Sequence, residues 1–278
     1  MRPLRISAIS FLNTVPLMWD FEHCAAGRDF AITYTVPSRC AVELAAGTAD
    51  IGIIPAAAYA SIPDLVILPG VAIASRKPVR SILLVSKIPL QQVRSIALDS
   101  SSMTSVALTK VLCAEFWKIQ PDFVSMPPQI DSMLGQCDAG LLIGDPALQV
   151  DRSKYLTHDL AEEWIRWTGK PFVFAFWAVR KAALAELSPA LDLTAIFGKS
   201  RDHGLQKDSV EQIAREWAPR MGLTTAEVRS YLTTNIHYHL EADCLEGLQF
   251  FYRLADACNA LPAAPPLHFL ETANTVTT

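Results

Sequence analysis

Short apolar runs of strand length alternate with helix-length stretches along the first part of the chain. Residues 5–12, 31–36 and 49–55 have strand-like patterns, and polar or proline-containing turns lead from them into helical stretches that begin near residues 13 and 37. Short apolar runs bounded by turn signals are typical of buried strands. The β-α-β order predicts parallel strand pairing with right-handed crossovers.

The same order of elements returns between residues 95 and 147. A strand, a polar turn, a helix, a second strand, a short helix and an apolar strand follow one another there. Residues 139–147 repeat the small apolar pattern of residues 49–55. Self-similarity of this kind indicates two similar α/β lobes rather than one continuous sheet.

A very apolar stretch at residues 172–179 is expected to cross back to the first lobe, with its aromatic side chains in the core. We therefore expect residues 1–87 and 177–278 to form lobe 1 and residues 88–176 to form lobe 2. The fold class that this predicts is α/β with two lobes.

Helical patterns fill the C-terminal part of the chain. Two pairs of residues have the spacing of a capping box, Ser209 with Gln212 and Thr224 with Glu227. The helices expected there are 210–220, 225–236 and 245–260.

Polar side chains follow several of the expected strands. Open α/β sheets bind ligands beyond the carboxyl ends of their strands, so these side chains are the candidates for a binding site. They are Ser10, Asn13, Ser81, Ser102, Thr104, Ser105 and Asp145.

The Ser-rich turn at residues 99–105 has two interpretations. A helix that starts near Ser102 would direct backbone N–H groups, hydroxyls and the positive end of its dipole at one spot, which suits a carboxylate or phosphate. Alternatively, the turn serves only to cap the helix that follows it, which is the commoner role of an isolated Ser/Thr turn. Asn13 could likewise be a cap, and Ser81 could be satisfied by backbone groups.

Composition and charge narrow the class of partner. The chain has 278 residues, 51% of them hydrophobic and 19% charged, with a net charge of −4 and no Lys/Arg run. This argues against a nucleic-acid surface. No uninterrupted apolar window reaches the ~20 residues of a membrane span. A small molecule is the expected partner.

The N-terminus and the cysteines indicate a cytoplasmic protein. Asn13 and Pro16 interrupt what would be the apolar region of an export signal. The six cysteines are scattered without a Cys-x-x-Cys pair, so reduced thiols are expected, with no disulfide framework and no zinc site.

The usual catalytic motifs are missing from the sequence. There is no Gly-x-Gly-x-x-Gly, Walker loop, His-Glu-x-x-His or Gly-x-Ser-x-Gly pattern, and none of the six histidines lies in the turns named above. The turns offer hydroxyls, an amide and one carboxylate, with no pairing of a nucleophile and a base. This favours a binding site that needs no metal and no cofactor.

An ordered set of segments resembles one known family. The segments are 7–16, 44–55, 79–86, 99–105, 143–145, 159–164 and 168–175. They look like the MqnA family, the chorismate dehydratases of the futalosine pathway of menaquinone biosynthesis. The resemblance implies a periplasmic-binding-protein type II-like fold with a ligand cleft between the lobes. It also implies a cytoplasmic enzyme that converts chorismate, a dicarboxylate, to 3-[(1-carboxyvinyl)oxy]benzoate and water.

The resemblance also implies roles for the candidate residues. Asn13 and Ser81 are the expected catalytic residues. The expected substrate-binding residues are Ser10, Ser102, Thr104, Ser105 and Asp145. With no obvious base in the turns, we expect the enolpyruvyl carboxylate of the substrate to take the proton, and Asp145 is the alternative base.

Two other functions remain in competition. A 1,4-dihydroxy-6-naphthoate synthase-like enzyme of the same pathway is expected to place a histidine base in the cleft. A non-catalytic carboxylate-binding protein is expected to carry an export signal.

Overall fold

The chain forms two mixed β-sheets with helices packed around them. The computed structural model describes residues 2–24, 29–185 and 191–271. Within these ranges each sheet has five strands, and the two sheets have the same pattern of strand order. This is the two-lobed α/β architecture that the repeated pattern predicts.

The first sheet contains three parallel strands. A fourth strand pairs antiparallel with the last of these, and a fifth pairs antiparallel with the fourth. In spatial order its strands are β2 (Phe30–Thr35), β1 (Leu4–Ile9), β3 (Ile51–Pro55), β10 (Phe172–Arg180) and β4 (Leu65–Ser75). β1 pairs in parallel with β2 and β3, whereas β10 runs antiparallel to both β3 and β4. β3 is buried along its whole length, which agrees with its continuous apolar sequence.

The second sheet repeats this plan. In spatial order its strands are β7 (Asp122–Met126), β6 (Ser95–Asp99), β8 (Ala139–Ile143), β5 (Ile82–Ser86) and β9 (Leu156–Asp159). β6 pairs in parallel with β7 and β8, and β5 runs antiparallel to β8 and β9. β8 therefore occupies the position in its sheet that β3 occupies in the first.

The helices follow the two halves of the chain. Some helices lie in the chain before the first strand of the second sheet or after β10. They are α1 (Trp19–His23), α2 (Pro37–Ala46), α3 (Ala56–Tyr59), α8 (Lys181–Leu184), α9 (Leu193–Gly204), α10 (Lys207–Met221), α11 (Thr225–Ser230) and α12 (Ala242–Ala257). The other helices lie between β5 and β10 in the chain. They are α4 (Thr104–Val111), α5 (Ile130–Gln136), α6 (Gly144–Leu148) and α7 (Leu160–Thr168). Short 3-10 helices cover Leu12–Met18 and Leu90–Gln92, and π-helical turns cover Leu112–Trp117 and Tyr231–Asn235. No helix in the described ranges is long and apolar enough to cross a membrane.

The two segments in which the chain passes from one sheet to the other, called the crossings below, lie earlier in the sequence than the predicted lobe boundaries. The division at residues 87/88 and 176/177 assigns β5 to lobe 1 and the start of β10 to lobe 2. Pairing puts β5 in the second sheet and all of β10 in the first, so the chain crosses within residues 76–81 and 160–171. An apolar strand has the same pattern in either sheet, and only its partners decide where it lies.

One of the two expected capping boxes forms. Thr224 Oγ1 accepts from the Glu227 N–H at 3.2 Å, and Glu227 Oε2 accepts from the Thr224 N–H at 2.8 Å, so this prediction is confirmed. The capping box at Ser209 is wrong because α10 begins earlier, at Lys207, and Ser209 is buried in its first turn. The same spacing marks a helix start only where the backbone enters the helix at that residue.

The apolar core continues from one lobe into the other. Trp164 of α7 is fully buried, and its ring lies edge-on to Phe172 and Phe251 of the first lobe, with centroids 5.2 Å and 6.2 Å apart. Leu108 of α4 belongs to the same cluster. The aromatic side chains of β10 are core residues, as predicted. The second crossing segment is therefore anchored in the first lobe.

The Asp159 carboxylate joins the two crossing segments. It accepts from the N–H groups of Val79 and Arg80 in the first crossing, at 3.1 Å and 2.6 Å. It also caps α7 by accepting from the N–H groups of Ala161 and Glu162, at 3.1 Å and 3.2 Å. Burial raises the pKa of Asp159, and the N–H donors act in the opposite direction. One carboxylate thus satisfies four backbone donors from two segments.

Asp159→Ala should lower the free energy of unfolding by about 3 kcal/mol, because it removes a helix cap and leaves buried N–H groups without an acceptor. Urea denaturation measures this loss. Asp192→Ala is the matched control, since exposed Asp192 caps α9 by accepting from the Ala195 N–H at 2.9 Å and should cost only about 1 kcal/mol. Equal losses in the two variants would show that the bonds to the first crossing add nothing.

Candidate active site

A cleft lies between the two sheets, where the turns that follow their strands meet. The space between its walls, counted with the part that opens to solvent, is about 500 Å³. Lobe 1 contributes Phe11 and Asn13 after β1, and lobe 2 contributes residues 102–105 before and within α4. Ile143 and Gly144 close it after β8. Both lobes therefore supply its walls, as predicted for a ligand cleft.

The Ser-rich turn at residues 99–105 is shaped by Asp99. The Asp99 carboxylate accepts from the Ser101 N–H at 2.9 Å and from the Ser101 hydroxyl at 2.6 Å. Its other oxygen accepts from the Ile143 N–H at 3.2 Å. Burial raises the pKa of Asp99, and these donors oppose the shift. Asp99 thus joins the end of β6 to the end of β8, and two backbone N–H groups and the Ser101 hydroxyl occupy its oxygens.

Ser102 and Ser105 present unused hydroxyls at the start of α4. Both residues are nearly buried and line the cleft. Neither hydroxyl has a hydrogen-bond partner among the described residues, and the N-cap of α4 is Met103, with no side-chain cap. The simple helix-cap interpretation of this turn is therefore wrong. Two hydroxyls and the first N–H groups of α4 are available to an anion.

Thr104 lines the cleft but uses its hydroxyl to join chain segments. Its Oγ1 donates to the Phe174 carbonyl of β10 at 2.9 Å and accepts from the Ala57 N–H of α3 at 3.1 Å. A hydroxyl has one proton to donate. The Thr104 hydroxyl therefore has no free proton to donate to a carboxylate, as its predicted role requires. Its two hydrogen bonds instead hold α4 against lobe 1.

Asn13 faces the cleft from the 3-10 helix Leu12–Met18. The helix begins after Phe11, and no side chain caps it, so Asn13 is not a cap. Its side chain is half-buried, and its Oδ1 accepts from the Thr14 hydroxyl at 3.3 Å. An amide that lines an apolar cleft can donate to a substrate oxygen, as the predicted role of Asn13 requires.

Ser81 lies behind the cleft lining rather than in it. It is fully buried, and its Oγ accepts from the hydroxyl of Tyr231 at 2.8 Å. Sequence reasoning missed Tyr231, which lies 150 positions away in a stretch whose helical pattern gave no sign of a polar role. The catalytic contact predicted for Ser81 stays a prediction. In the structure Ser81 is buried and is not among the residues that line the cleft.

Asp145 also lies behind the wall, in the first turn of α6. Its Oδ1 accepts from the Leu12 N–H at 3.0 Å, so the carboxylate links lobe 2 to the start of the Asn13 helix. Burial raises the pKa of Asp145 to about 6, against the opposing effects of the Leu12 N–H and the charge of Arg220. A carboxyl with such a pKa could act as a base near neutral pH, but it does not line the cleft.

Ser10 points away from the cleft. Its side chain is exposed, and its hydroxyl donates to the Thr35 carbonyl at 3.2 Å. It lines a separate groove of about 830 Å³ that shares Ile9 and Phe11 with the cleft. The substrate contact predicted for Ser10 is therefore not formed by the cleft as it stands, and that role stays a prediction.

The lobes touch across the mouth of the cleft. The Ser38 N–H of α2 donates to the Ser101 carbonyl at 3.0 Å, and the Ser38 hydroxyl donates to the Ser100 carbonyl at 3.3 Å. On the other side the ring of Phe11 lies against Gly144. These contacts join the two lobes on two sides of the cleft.

The cleft is apolar and its lining carries no ionisable side chain among the described residues. Its polar groups are the Asn13 amide and the hydroxyls of Ser102, Thr104 and Ser105. In the parts of the chain that the structure describes, no cluster of three or more His, Cys, Asp or Glu side chains could hold a metal ion. The chemistry that the cleft offers is therefore hydrogen bonding in a low-dielectric space.

Comparison with solved structures identifies the fold. An Archaeoglobus fulgidus protein superposes with a TM-score of 0.67 at 16% identity, covering 93% of this chain and 98% of that one. The alkanesulfonate-binding protein SsuA of Xanthomonas axonopodis, bound to MOPS, gives 0.67 at 18% identity, covering 97% and 100%. A Candida albicans protein described as having the generic periplasmic binding protein fold gives 0.66 at 12% identity over the whole of both chains. The expected binding-protein-like fold is confirmed.

Comparison of sequences identifies the family. A chorismate dehydratase of Thermus thermophilus is 29% identical to this chain over 283 aligned residues, covering 95% of this chain and 98% of the relative. The profile of the family described as menaquinone biosynthesis matches residues 4–257. Since that match spans most of the sequence, the resemblance seen in the motifs is confirmed, and the chain belongs to the menaquinone biosynthesis family.

Proposed function

We propose that this protein is a chorismate dehydratase, which forms 3-[(1-carboxyvinyl)oxy]benzoate and water in the futalosine pathway of menaquinone biosynthesis. Its family and its Thermus relative support this activity. The observation that carries the proposal is the cleft between the lobes, which the Asn13 amide of one lobe lines together with the unused hydroxyls of Ser102 and Ser105 from the other. Hydrogen-bond donors from both lobes suit a small carboxylate-bearing substrate.

The Ser102 and Ser105 hydroxyls, with the first N–H groups of α4, hold one substrate carboxylate. Hydrogen bonds to an ionised acceptor are stronger than neutral ones, and the apolar surroundings strengthen them further. These dipoles replace the arginine or lysine that a carboxylate often meets in an exposed site.

The dehydration removes the C3 proton and the C4 hydroxyl of the substrate. The C3–H electron pair forms the new double bond, the C4–O bond breaks, and the departing hydroxide combines with a proton to give water. The enolpyruvyl carboxylate of the substrate lies close to C3 and takes the C3 proton, while Asn13 positions the reacting region. Formation of an aromatic ring supplies much of the driving force.

Asp145 remains the alternative base. Its raised pKa would suit the role, but one of its oxygens accepts from the Leu12 N–H and the residue lies behind the lining. The position therefore favours the substrate carboxylate as base.

The location that we infer is the cytoplasm. The six cysteines are all free thiols, and those at Cys40, Cys113, Cys137 and Cys244 are buried. Free thiols persist in a reducing compartment.

The activity is tested by incubating purified protein with chorismate and following ultraviolet absorbance and mass. Loss of one water to give an aromatic product is the expected result. Tight binding without turnover would instead identify a non-catalytic carboxylate-binding protein. Turnover of another pathway intermediate, with chorismate unchanged, would identify a 1,4-dihydroxy-6-naphthoate synthase-like enzyme.

Asn13→Ala should lower kcat roughly tenfold to hundredfold while changing KM little, because it removes a positioned donor but leaves the carboxylate-binding hydroxyls in place. Steady-state kinetics with chorismate measures both constants. An unchanged kcat would remove Asn13 from the mechanism.

Ser102→Ala together with Ser105→Ala should raise KM by about a hundredfold or more, since each of the two charge-assisted hydrogen bonds lost is worth roughly 1.5 to 3 kcal/mol. Ser100→Ala is the matched control because Ser100 is exposed in the same turn and does not line the cleft. The same kinetic assay compares them. If the double variant binds chorismate as well as Ser100→Ala does, the anion site lies elsewhere.

The pH dependence of kcat distinguishes the two bases. If the substrate carboxylate is the base, kcat should stay level between about pH 5 and 8, because a carboxyl with an ordinary pKa near ~4 is ionised throughout. If Asp145 is the base, kcat should fall as pH drops through about 6, where the Asp145 carboxylate takes up a proton. We expect the level profile, and we expect Asp145→Asn to keep most of the activity because its amide oxygen can still accept from Leu12.

A further inference from the structure

The 3-10 helix that carries Asn13 is held at its C-terminal end by its own lobe. The Ser200 hydroxyl of α9 donates to the Leu17 carbonyl at 2.8 Å. Gly204, at the end of α9, lies so close to this helix that a Cβ there would collide with the Pro16 carbonyl. The C-terminal end of the helix is therefore fixed against lobe 1.

The N-terminal end of the same helix is held by the other lobe. Its first N–H group, that of Leu12, donates to Asp145 Oδ1 of α6 at 3.0 Å. The N–H groups of a first turn have no acceptor within their own helix, and Phe11, the residue before this helix, provides no side-chain cap. Leu12 is fully buried, so bulk water does not replace the carboxylate as its acceptor. Asp145 thus caps, from lobe 2, a helix that belongs to lobe 1.

A second contact lies beside this hydrogen bond. The ring of Phe11 packs against Gly144, the residue before Asp145, whose lack of a side chain allows the close approach. Two adjacent residues of lobe 1 therefore meet two adjacent residues of lobe 2. Asn13 is the next residue in the chain and lines the cleft, as Phe11 and Gly144 also do. The backbone from which the Asn13 side chain extends is thus held by a contact between the lobes.

Asp145 is placed to act through Asn13 rather than on the substrate. Its side chain is not part of the cleft lining. Among the described residues its carboxylate forms no salt bridge, and the charge of Arg220 acts on it only at longer range. The hydrogen bond to the Leu12 N–H brings it within one residue of Asn13.

We propose that Asp145 is a positioning residue, whose carboxylate reaches from lobe 2 to hold the first turn of the Leu12–Met18 helix and so sets where the Asn13 amide lies in the cleft. In this role the carboxylate accepts a hydrogen bond and takes no proton from the substrate. For the reaction that Asn13 serves, the inference rests on the proposed function. The contact between the lobes is present in the structure whatever the substrate.

Asp145→Ala removes the acceptor of the Leu12 N–H. It should lower kcat roughly tenfold or more and change KM less than about twofold, because the hydroxyls of lobe 2 still bind the substrate but the amide is misplaced. Asp145→Asn should recover most of the loss, since its amide oxygen can accept from the same N–H. Steady-state kinetics with chorismate measures both constants. If Asp145→Asn is as slow as Asp145→Ala, the negative charge itself is needed and the proposal is overturned.

Asp151→Ala is the matched control for these variants. Asp151 lies shortly after α6, is exposed, and accepts hydrogen bonds from the N–H and the hydroxyl of Ser153 in its own loop, at 3.1 Å and 2.6 Å. It loses the same atoms from the same lobe without touching lobe 1. Asp151→Ala should therefore keep the kcat of the unmodified protein, and an equal loss in it and in Asp145→Ala would overturn the proposal.

The double variant Asn13→Ala with Asp145→Ala tests whether Asp145 acts through Asn13. Once Asn13 is alanine, Asp145→Ala should change kcat less than about twofold. The same tenfold loss in both backgrounds would overturn the proposal, as would an unchanged kcat in Asp145→Ala alone.

A second measurement does not depend on the reaction. Amide hydrogen exchange of the substrate-free protein, followed by NMR, reports on the Leu12 N–H directly. Its exchange should become about tenfold faster or more in Asp145→Ala and stay slow in Asp145→Asn and Asp151→Ala. The internal reference is the Ala57 N–H, which donates to the Thr104 hydroxyl of lobe 2 at 3.1 Å and should stay protected in all three variants.

Two results of this measurement would overturn the arrangement itself. They are an unchanged exchange of the Leu12 N–H in Asp145→Ala, and an equal acceleration of the Leu12 and Ala57 N–H groups, which would show a general loss of stability. Failure of the unmodified protein to convert chorismate, with the acceleration confined to Leu12, would overturn only the proposed function.

Discussion

The Asp159 carboxylate is the interaction on which the placement of the two sheets depends. The chain passes between the sheets twice, and this one side chain binds the backbone of the first crossing while capping the helix of the second. A carboxylate can accept more hydrogen bonds than any neutral side chain, so a single buried residue can hold two segments that have no strand pairing with each other. This junction therefore fixes the two crossing segments to each other, and the shared apolar core and the Thr104 hydroxyl add further contacts between the lobes.

The two lobes contribute different chemistry to the cleft. The second lobe offers the dipoles of a helix start and two hydroxyls, which suit a negative charge. The first lobe offers one amide, that of Asn13, which can donate to a substrate oxygen. Thr104 stands between them and uses its hydroxyl to fasten α4 to β10 and α3. Binding and orientation are thus separated in space, and neither depends on a formal charge in the lining.

Much of the fold could be predicted from the sequence because it follows from local patterns. Strand-length apolar runs, their repetition, and polar residues after strands are all local signals, and they located the cleft and four of its lining residues, Asn13, Ser102, Thr104 and Ser105. The Thr224 capping box also depends only on neighbours in the chain.

What the sequence could not show were contacts between distant segments. Ser81 and Tyr231 meet across 150 positions, and the Thr104 hydroxyl is used by Ala57 and Phe174, which no spacing rule connects to it. Ser10 has the sequence position of a site residue, but its side chain points to the neighbouring groove. The side of a turn on which a short polar residue emerges depends on backbone angles that pattern alone does not determine.

Gly144 sets how closely the lobes can approach. Its φ of +62° is in the left-handed region, and a Cβ there would lie 2.5 Å from the ring of Phe11. Any other residue would place its Cβ too close to that ring, so the ring or the lobe that carries it would have to move. The close approach of the two lobes at this point therefore depends on the absence of a side chain at position 144.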